Sequence, residues 1–254
     1  MGKRLSTLPP SLASKAKSPP AGGSQLPLRI DQGGDERDGL AIFCGGVRFF
    51  GVRWGFRRVR AGLRQAGFKG RLIYDGWHSA VQGWLVLPPL TDRALIERRA
   101  GQVAECIEDY GRRYPHCPVY LLGCSAGGFL ALRALELLGE GVQIESAALL
   151  SPAFDGRRDL APALSHLKGR LVVTYSSLDW IVLGLGTLLF GNADGRYCRA
   201  AGLTGVLGDY AGKVLNMRWR PGMILSGRLG GHVSAIPSSF IARYVAPAMG
   251  IGTL

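Results

Sequence analysis

The stretch Val119-Tyr120-Leu121-Leu122-Gly123-Cys124-Ser125-Ala126-Gly127-Gly128-Phe129-Leu130-Ala131-Leu132-Arg133-Ala134-Leu135 decides the fold. Its first four residues are an apolar run of strand type, and its last seven are apolar almost all round, as a helix buried on every side must be. Only six small residues lie between them, so a strand turns abruptly into a helix. Gly123-Cys124-Ser125-Ala126-Gly127 fits the G-x-S-x-G pattern, in which two glycines permit the close backbone approach that exposes a serine hydroxyl. Alone the pentapeptide is weak, because 38 glycines and 16 serines in 254 residues give about a third of a match by chance. Its place between an apolar strand and an apolar helix gives it weight.

Working outward, the same alternation recurs. Leu40-Ala41-Ile42-Phe43-Cys44 is a strand stopped by Gly45-Gly46, and Leu72-Ile73-Tyr74 is another that ends in Asp75-Gly76. Thr91 or Asp92 opens a helix whose apolar residues Ile96, Ala100, Val103, Ile107 and Tyr110 follow helical spacing, and it ends near Tyr114-Pro115. Further strands are expected at Ile144 to Leu150, Leu171 to Tyr175 and near Met223-Ile224-Leu225, with a last helix from about Ser234 to about Ala246. This order predicts an α/β domain, a mainly parallel central sheet with helices on both faces. About twenty residues separate Leu150 from Leu171, which leaves no room there for a large cap domain. Residues 1–37, rich in Pro, Ser, Gly and Lys, read as a flexible basic tail, and residues 38–254 as the folded domain.

The net charge of +13 is localised. Residues 1–30 hold five bases and no acid, and residues 48–71 hold eight bases and no acid, so the rest of the chain is neutral. That distribution argues against a nucleic-acid coat and for no specific nucleic-acid partner. Five cysteines, an odd number without C-x-x-C spacing, argue against a disulfide framework or a zinc site and suggest reduced thiols in the cytoplasm. No stretch reaches the length of a membrane span, and the N-terminal residues lack the apolar core of a signal peptide.

A serine hydroxyl is a poor nucleophile unless an imidazole takes its proton, and that imidazole needs a carboxylate to fix its tautomer. Loops that follow strands share the rim on which Ser125 falls. His232, after Gly230-Gly231, is the expected base, with His78 in Asp75-Gly76-Trp77-His78 as the alternative; His116 falls on the opposite rim and His166 in a surface helix. Asp179 follows the strand ending at Tyr175 and is the expected acid. Asp155 and Asp75 occupy comparable positions, and turn or cap duty is their plainer reading. The order Ser125, Asp179, His232, with gaps of 54 and 53 residues, leaves room for a strand-helix unit between members.

With these residues in place, the chain from about residue 39 onward resembles the α/β-hydrolase-fold superfamily, in particular its serine esterases and lipases. The resemblance implies an oxyanion hole made by the backbone N–H of Ala126 and one from the loop after the first core strand, Gly46 or Val47. Where the family commonly has His-Gly, this chain has Cys44-Gly45. It further implies hydrolysis of a small carboxylic ester, preferably with an apolar acyl group, through an acyl-enzyme and without cofactor or metal. Thioester or amide cleavage and acyl transfer use the same parts, and a non-catalytic binding protein can share the fold.

Two segments stay ambiguous in the sequence. In residues 49–64, Phe49, Val52, Phe56, Val59 and Leu63 form an apolar stripe beside a basic one, Arg53, Arg57, Arg60 and Arg64. A packed helix with a solvated basic face is the plainer reading, and peripheral contact of the four arginines with an anionic membrane the other. Residues 181–191 are apolar and directly follow Asp179. They line an acyl pocket, with Leu183, or act as a small lid, or form ordinary core, and Trp77, Trp84 and Trp180 on rim loops either widen the apolar surface of a pocket or pack as core aromatics.

Overall fold

Between Leu40 and Cys44 alternate side chains go to opposite faces: Leu40, Ile42 and Cys44 are buried in one apolar cluster, Ala41 and Phe43 in another. That division runs through the whole sheet of the computed structural model, which describes residues 28–30, 33–46, 54–75 and 92–252. The strands are β1 (Arg29–Ile30), β2 (Asp35–Cys44), β3 (Gly70–Asp75), β4 (Val119–Cys124), β5 (Ser146–Leu150), β6 (Leu171–Tyr175) and β7 (Val214–Arg218). Their order in the sheet is β1-β3-β2-β4-β5-β6-β7, parallel throughout except that β1 pairs antiparallel with β3.

The helices follow from that order. α1 (Trp54–Gln65) connects β2 to β3 in one direction along the sheet, and α2 (Arg93–Arg113) connects β3 back past β2 to β4 in the other. Right-handed crossovers of opposite direction place the two helices on opposite faces. α3 (Ala126–Glu136) continues in the second direction, so Leu130 and Leu135 join α2's Ile96 and Val103 in one cluster. Val59 and Leu63 of α1 share the other with Phe240 and Ile241 near the C-terminus. Asp92 starts α2 by accepting the Leu95 N–H at 2.9 Å, one of the donors that a helix start leaves without partners. α1 approaches the C-terminal helix at Gly62, where a Cβ would come within 2.5 Å of the Ile241 Cβ.

After β5 the chain makes one short helix, α4 (Ala161–Leu164), before β6, and no large cap lies there. After β6 comes a longer excursion: a π-helical segment Ile181–Gly186 that runs into α5 (Thr187–Phe190), then α6 (Ala201–Thr204). The chain ends with α7 (Ser238–Phe240), a π-helical segment Ile241–Val245 and α8 (Ala246–Ala248), so the last helix starts at Ser238, after Pro237, and not near Ser234.

Two further sequence expectations are corrected. The strand expected at Met223-Ile224-Leu225 is a 3-10 turn, Pro221–Ser226, with Leu225 86% exposed; the edge strand is Val214–Arg218. None of its residues is fully buried: Val214 packs against one cluster and Leu215 and Met217 against the other, and exposed Asn216 and Arg218 interrupt the apolar signal that identifies a central strand. The domain boundary at 37/38 also moves, because Arg29–Ile30 pairs with Tyr74 and Ile73, and β2 starts at Asp35. Residues 1–27 lie outside the described residues.

Candidate active site

From β2 the chain goes first to β3 on one side and later to β4 on the other, so the strand order reverses between β2 and β4. A crevice opens where neighbouring loops leave in opposite directions, at the carboxyl ends of these two strands. Gly45-Gly46 and Ser125 are the residues placed there. Ser125 has φ 55° and ψ −124°, a conformation that costs a non-glycine residue about 1–3 kcal/mol. Three backbone hydrogen bonds hold it: its N–H donates to Leu150 O at 3.0 Å, and its carbonyl accepts from Gly128 N–H at 2.9 Å and Ala153 N–H at 3.1 Å. The two glycines of the motif are required by space. A Cβ on Gly123 would sit 2.4 Å from Gly127 O, and one on Gly127 would sit 2.3 Å from the carbonyl oxygens of both Cys44 and Gly45.

His232 stands at the start of a 3-10 turn, His232–Ser234, whose Ser234 hydroxyl donates to Gly231 O and accepts the Leu229 N–H. Asp179 lies in the turn after β6, its N–H donating to Ser176 O. These loops bring His232 Nε2 to 3.0 Å from Ser125 Oγ, and Nδ1 to 2.8 Å from Asp179 Oδ2. The Asp179 side chain is 1% exposed and that of His232 11%. A buried carboxylate accepts only, so the shared proton belongs on Nδ1 and the Nε2 lone pair faces the serine hydroxyl. That arrangement can remove the hydroxyl proton and hold the resulting imidazolium.

The alternative acids are engaged elsewhere. Asp155 accepts from Arg196 Nη1 at 2.8 Å and from the Arg157 N–H, the turn duty expected of it. Asp75 is fully buried against Arg99, and burial pushes its carboxyl up to about 6 against the pull of that guanidinium. Among the other histidines, His166 Nδ1 is 2.7 Å from Val142 O, away from the crevice, and His116 is exposed. His78 lies outside the described residues, as do Val47, Trp77, Trp84 and Arg53.

Gly46 is placed against the serine: a Cβ there would be 3.1 Å from Ser125 Cβ. The Gly45 N–H is already given to Asp75 O at 3.1 Å, which leaves Gly46 as the nearest donor of that loop among the described residues. Ala126 is the first residue of α3, so its N–H belongs to the donors an α-helix cannot satisfy internally. Cys124, next to the serine, is buried, and burial pushes its thiol up to about 12, which removes it as a nucleophile.

Leu183 is not among the residues that line the cleft beside His232. It is buried in a small cluster with Ala153 and Ala200, and its carbonyl accepts from Ala200 N–H and the Thr187 hydroxyl, so that half of residues 181–191 is core. Trp180 is 58% exposed and faces outward. A cleft of about 590 Å³ lies beside His232, lined by Leu229, Pro237 and Arg58 among others, and neither Trp180 nor Leu183 borders it. In α1, Arg57 and Arg60 are exposed, whereas Arg64 turns inward and donates to the carbonyls of Phe68, Gly70 and Gly33. Arg64 therefore ties β3 and the start of β2 to α1, and the stripe of four arginines is not one free face.

Arg228 is a residue the sequence did not signal. Fully buried, it donates from Nη1 to Gly231 O at 3.1 Å and from Nη2 to Ser151 Oγ at 2.9 Å, and its guanidinium lies 5.7 Å from the Phe240 ring centroid. Burial lowers its pKa, while Asp179 raises it. It thus connects the loop carrying His232 to the end of β5, which supports Ser125. Nothing distinguishes an arginine between Gly227 and Leu229 from a solvated loop residue until the loop is folded.

Strand order, sharp elbow and the hydrogen-bonded serine, histidine and aspartate define an α/β-hydrolase fold. No family model matches the chain, and no curated protein matches it. Among solved structures it is similar to a dienelactone hydrolase from Anabaena variabilis, at 19% identity over 88% of each chain with a TM-score of 0.49. It is also similar to a Bacillus licheniformis lipase, at 13% identity over 87% of this chain and 97% of that one with a TM-score of 0.47. A carboxylesterase from Mesorhizobium loti aligns at 16% identity over 87% and 94%, with a TM-score of 0.45. What the site can do rests on this chain's own residues.

Proposed function

We propose that the chain is a serine hydrolase that cleaves carboxylic esters through an acyl-enzyme. Ser125 Oγ attacks the ester carbonyl while His232 Nε2 takes the hydroxyl proton, and Asp179 stabilises the imidazolium. Collapse of the tetrahedral intermediate expels the alcohol, which takes that proton from His232, and leaves the acyl group on Ser125. Water, deprotonated by the same histidine, then releases the carboxylic acid. The N–H groups of Ala126 and Gly46 hold the developing oxyanion, a role worth several kcal/mol in the transition state.

The observation that carries this reading is the continuous hydrogen-bond path from Asp179 Oδ2 through His232 to Ser125 Oγ, 2.8 and 3.0 Å. Leu229 and Pro237 in the adjoining cleft favour an apolar acyl group. Five cysteines without paired spacing fit a reducing, cytoplasmic setting. The test is release of p-nitrophenol from a series of p-nitrophenyl esters of increasing chain length. Wild type is expected to turn over the series and Ser125→Ala none of it. Equal rates for the two proteins would reject the proposal.

A further inference from the structure

The excursion after Asp179 carries apolar side chains on both of its sides. Leu183 and Thr187 are buried inward, while Ile181, 63% exposed, and Leu185 point outward together with Trp180. No charged residue lies between Asp179 and Asp194. A second apolar element borders the first. Leu178 and Trp219 both lie against Gly230, where a Cβ would meet Leu178 Cδ1 at 2.7 Å and the Trp219 ring at 3.1 Å. Exposed Leu225 and Leu229 flank that glycine on the loop that carries His232. The crevice is therefore rimmed by outward-facing apolar residues on the two loops that supply its acid and its base. A rim of this kind marks an interaction surface.

Charge indicates what covers it. From Trp180 to the C-terminus the chain has seven bases and two acids, Asp194 and Asp209. Asp194 is turned inward, accepting the N–H groups of Asp155 and Arg196, and Asp209 precedes β7, at the end of the sheet opposite the crevice. Arg218 and Arg220, both exposed, leave the sheet beside Tyr175, on either side of Trp219. Exposed Leu, Ile and Trp beside arginines, with Asp194 bonded to neighbouring N–H groups and Asp209 at the other end of the sheet, suit a surface that is apolar beneath and anionic on top.

We infer that the rim formed by Leu178, Trp180, Ile181, Leu185, Leu225 and Leu229, with Arg218 and Arg220, docks on an anionic lipid surface. Docked in this way, the crevice faces the acyl chains. This deepens the hydrolase reading by naming its substrate as an acyl ester taken from a lipid phase, and that part rests on that reading; the binding itself does not. No helix among the described residues is long and apolar enough to cross a membrane, so contact is by adsorption.

The full chain and Ser125→Ala are floated with phosphatidylcholine vesicles, with and without phosphatidylglycerol. Both proteins are expected to float with the anionic vesicles and at least about tenfold less with the neutral ones, the difference shrinking at high salt. The triple variant Ile181→Ser, Leu185→Ser, Leu225→Ser, at unchanged unfolding midpoint, is expected to lose about tenfold or more, and Arg218→Gln with Arg220→Gln to lose the preference for anionic vesicles. In wild type, tryptophan emission moves to the blue on adding anionic vesicles, and Trp180→Phe removes most of that change. The proposal is overturned if wild type stays with the soluble fraction, if neutral and anionic vesicles bind equally, or if emission does not move. A concentration-dependent dimer that the triple variant dissolves overturns it as well, since a second copy then covers the rim. An inactive hydrolase that still floats separates failure of the catalytic reading from failure of this one.

Discussion

Replacing Asp179 by Asn keeps the side chain's volume and removes its charge at the buried end of the hydrogen-bond path. Oδ2 accepts from His232 Nδ1 at 2.8 Å, and that bond sets the tautomer in which Nε2, 3.0 Å from Ser125 Oγ, carries a lone pair. An amide that presents its NH₂ to Nδ1 stabilises the other tautomer, and Nε2 then points a proton at the serine and cannot accept one. The lost step is the one the site is built for. In serine proteases this exchange costs about 10⁴ in kcat, roughly 5.5 kcal/mol of transition-state stabilisation. The Asp179 side chain is 1% exposed and touches no substrate, so KM for a soluble p-nitrophenyl ester stays near the wild-type value while kcat falls by about that factor. Asp155→Asn is the control: it loses the charge of an ion pair to Arg196, a side chain 64% exposed, while its Oδ1 can still accept the Arg157 N–H, and kcat changes by less than about twofold. Retention of more than about a tenth of wild-type kcat in Asp179→Asn, or an equal loss in Asp155→Asn, refutes the assignment.

Four further outcomes follow from the same geometry. His232→Ala is expected to abolish ester turnover while His78→Ala and His166→Ala retain most of it, measured in the same assay; the reverse result relocates the base. Arg228→Met leaves Ser151 Oγ without its donor and removes one of the donors to Gly231 O, which Ser234 keeps bonded, and is expected to lower stability by about 2 kcal/mol in urea unfolding and kcat at least about tenfold, with KM little changed. Gly127→Ala places a methyl 2.3 Å from two carbonyl oxygens and is expected to lower the unfolding free energy by about 3 kcal/mol, read from denaturation midpoints. Burial raises the thiol pKa of Cys44 and Cys124, so folding lowers their thiolate fraction; native protein at pH 8 should leave both unmodified by iodoacetamide, detected by mass spectrometry, whereas urea-unfolded protein should be alkylated at all five cysteines.

What the sequence showed and what it hid divide along physical lines. The strand-elbow-helix of residues 119–135 is legible because a buried strand and helix leave almost no polar positions, Arg133 being the exception, and the glycines between them are fixed by contacts of the turn itself. Asp179 is legible because it follows β6, and the carboxyl ends of parallel strands share one rim; His232 is expected there after a strand at Met223-Ile224-Leu225 that is in fact a 3-10 turn, and it stands instead on the long loop after β7. The edge strand Val214–Arg218 hides because exposed Asn216 and Arg218 break its apolar run, and Met223-Ile224-Leu225 looks like a strand although Leu225 is 86% exposed. Leu183, Arg64 and Arg228 hide for a common reason: whether an apolar residue lines a pocket or a cationic one meets solvent is decided by which segments arrive against it. Arg64 is claimed by carbonyls far apart in sequence, at Gly33 and Gly70, and Arg228 by Ser151.

The central claim, that Ser125 is a nucleophile activated by His232, is tested most directly by covalent labelling with a fluorophosphonate. An activated serine attacks phosphorus, loses its proton to the histidine and expels fluoride. Wild type is expected to gain the phosphonyl adduct on the peptide that contains Ser125, with Ser125→Ala unlabelled and His232→Ala labelled at a greatly reduced rate. Wild type that stays unlabelled, or Ser125→Ala that labels as fast as wild type, contradicts the account.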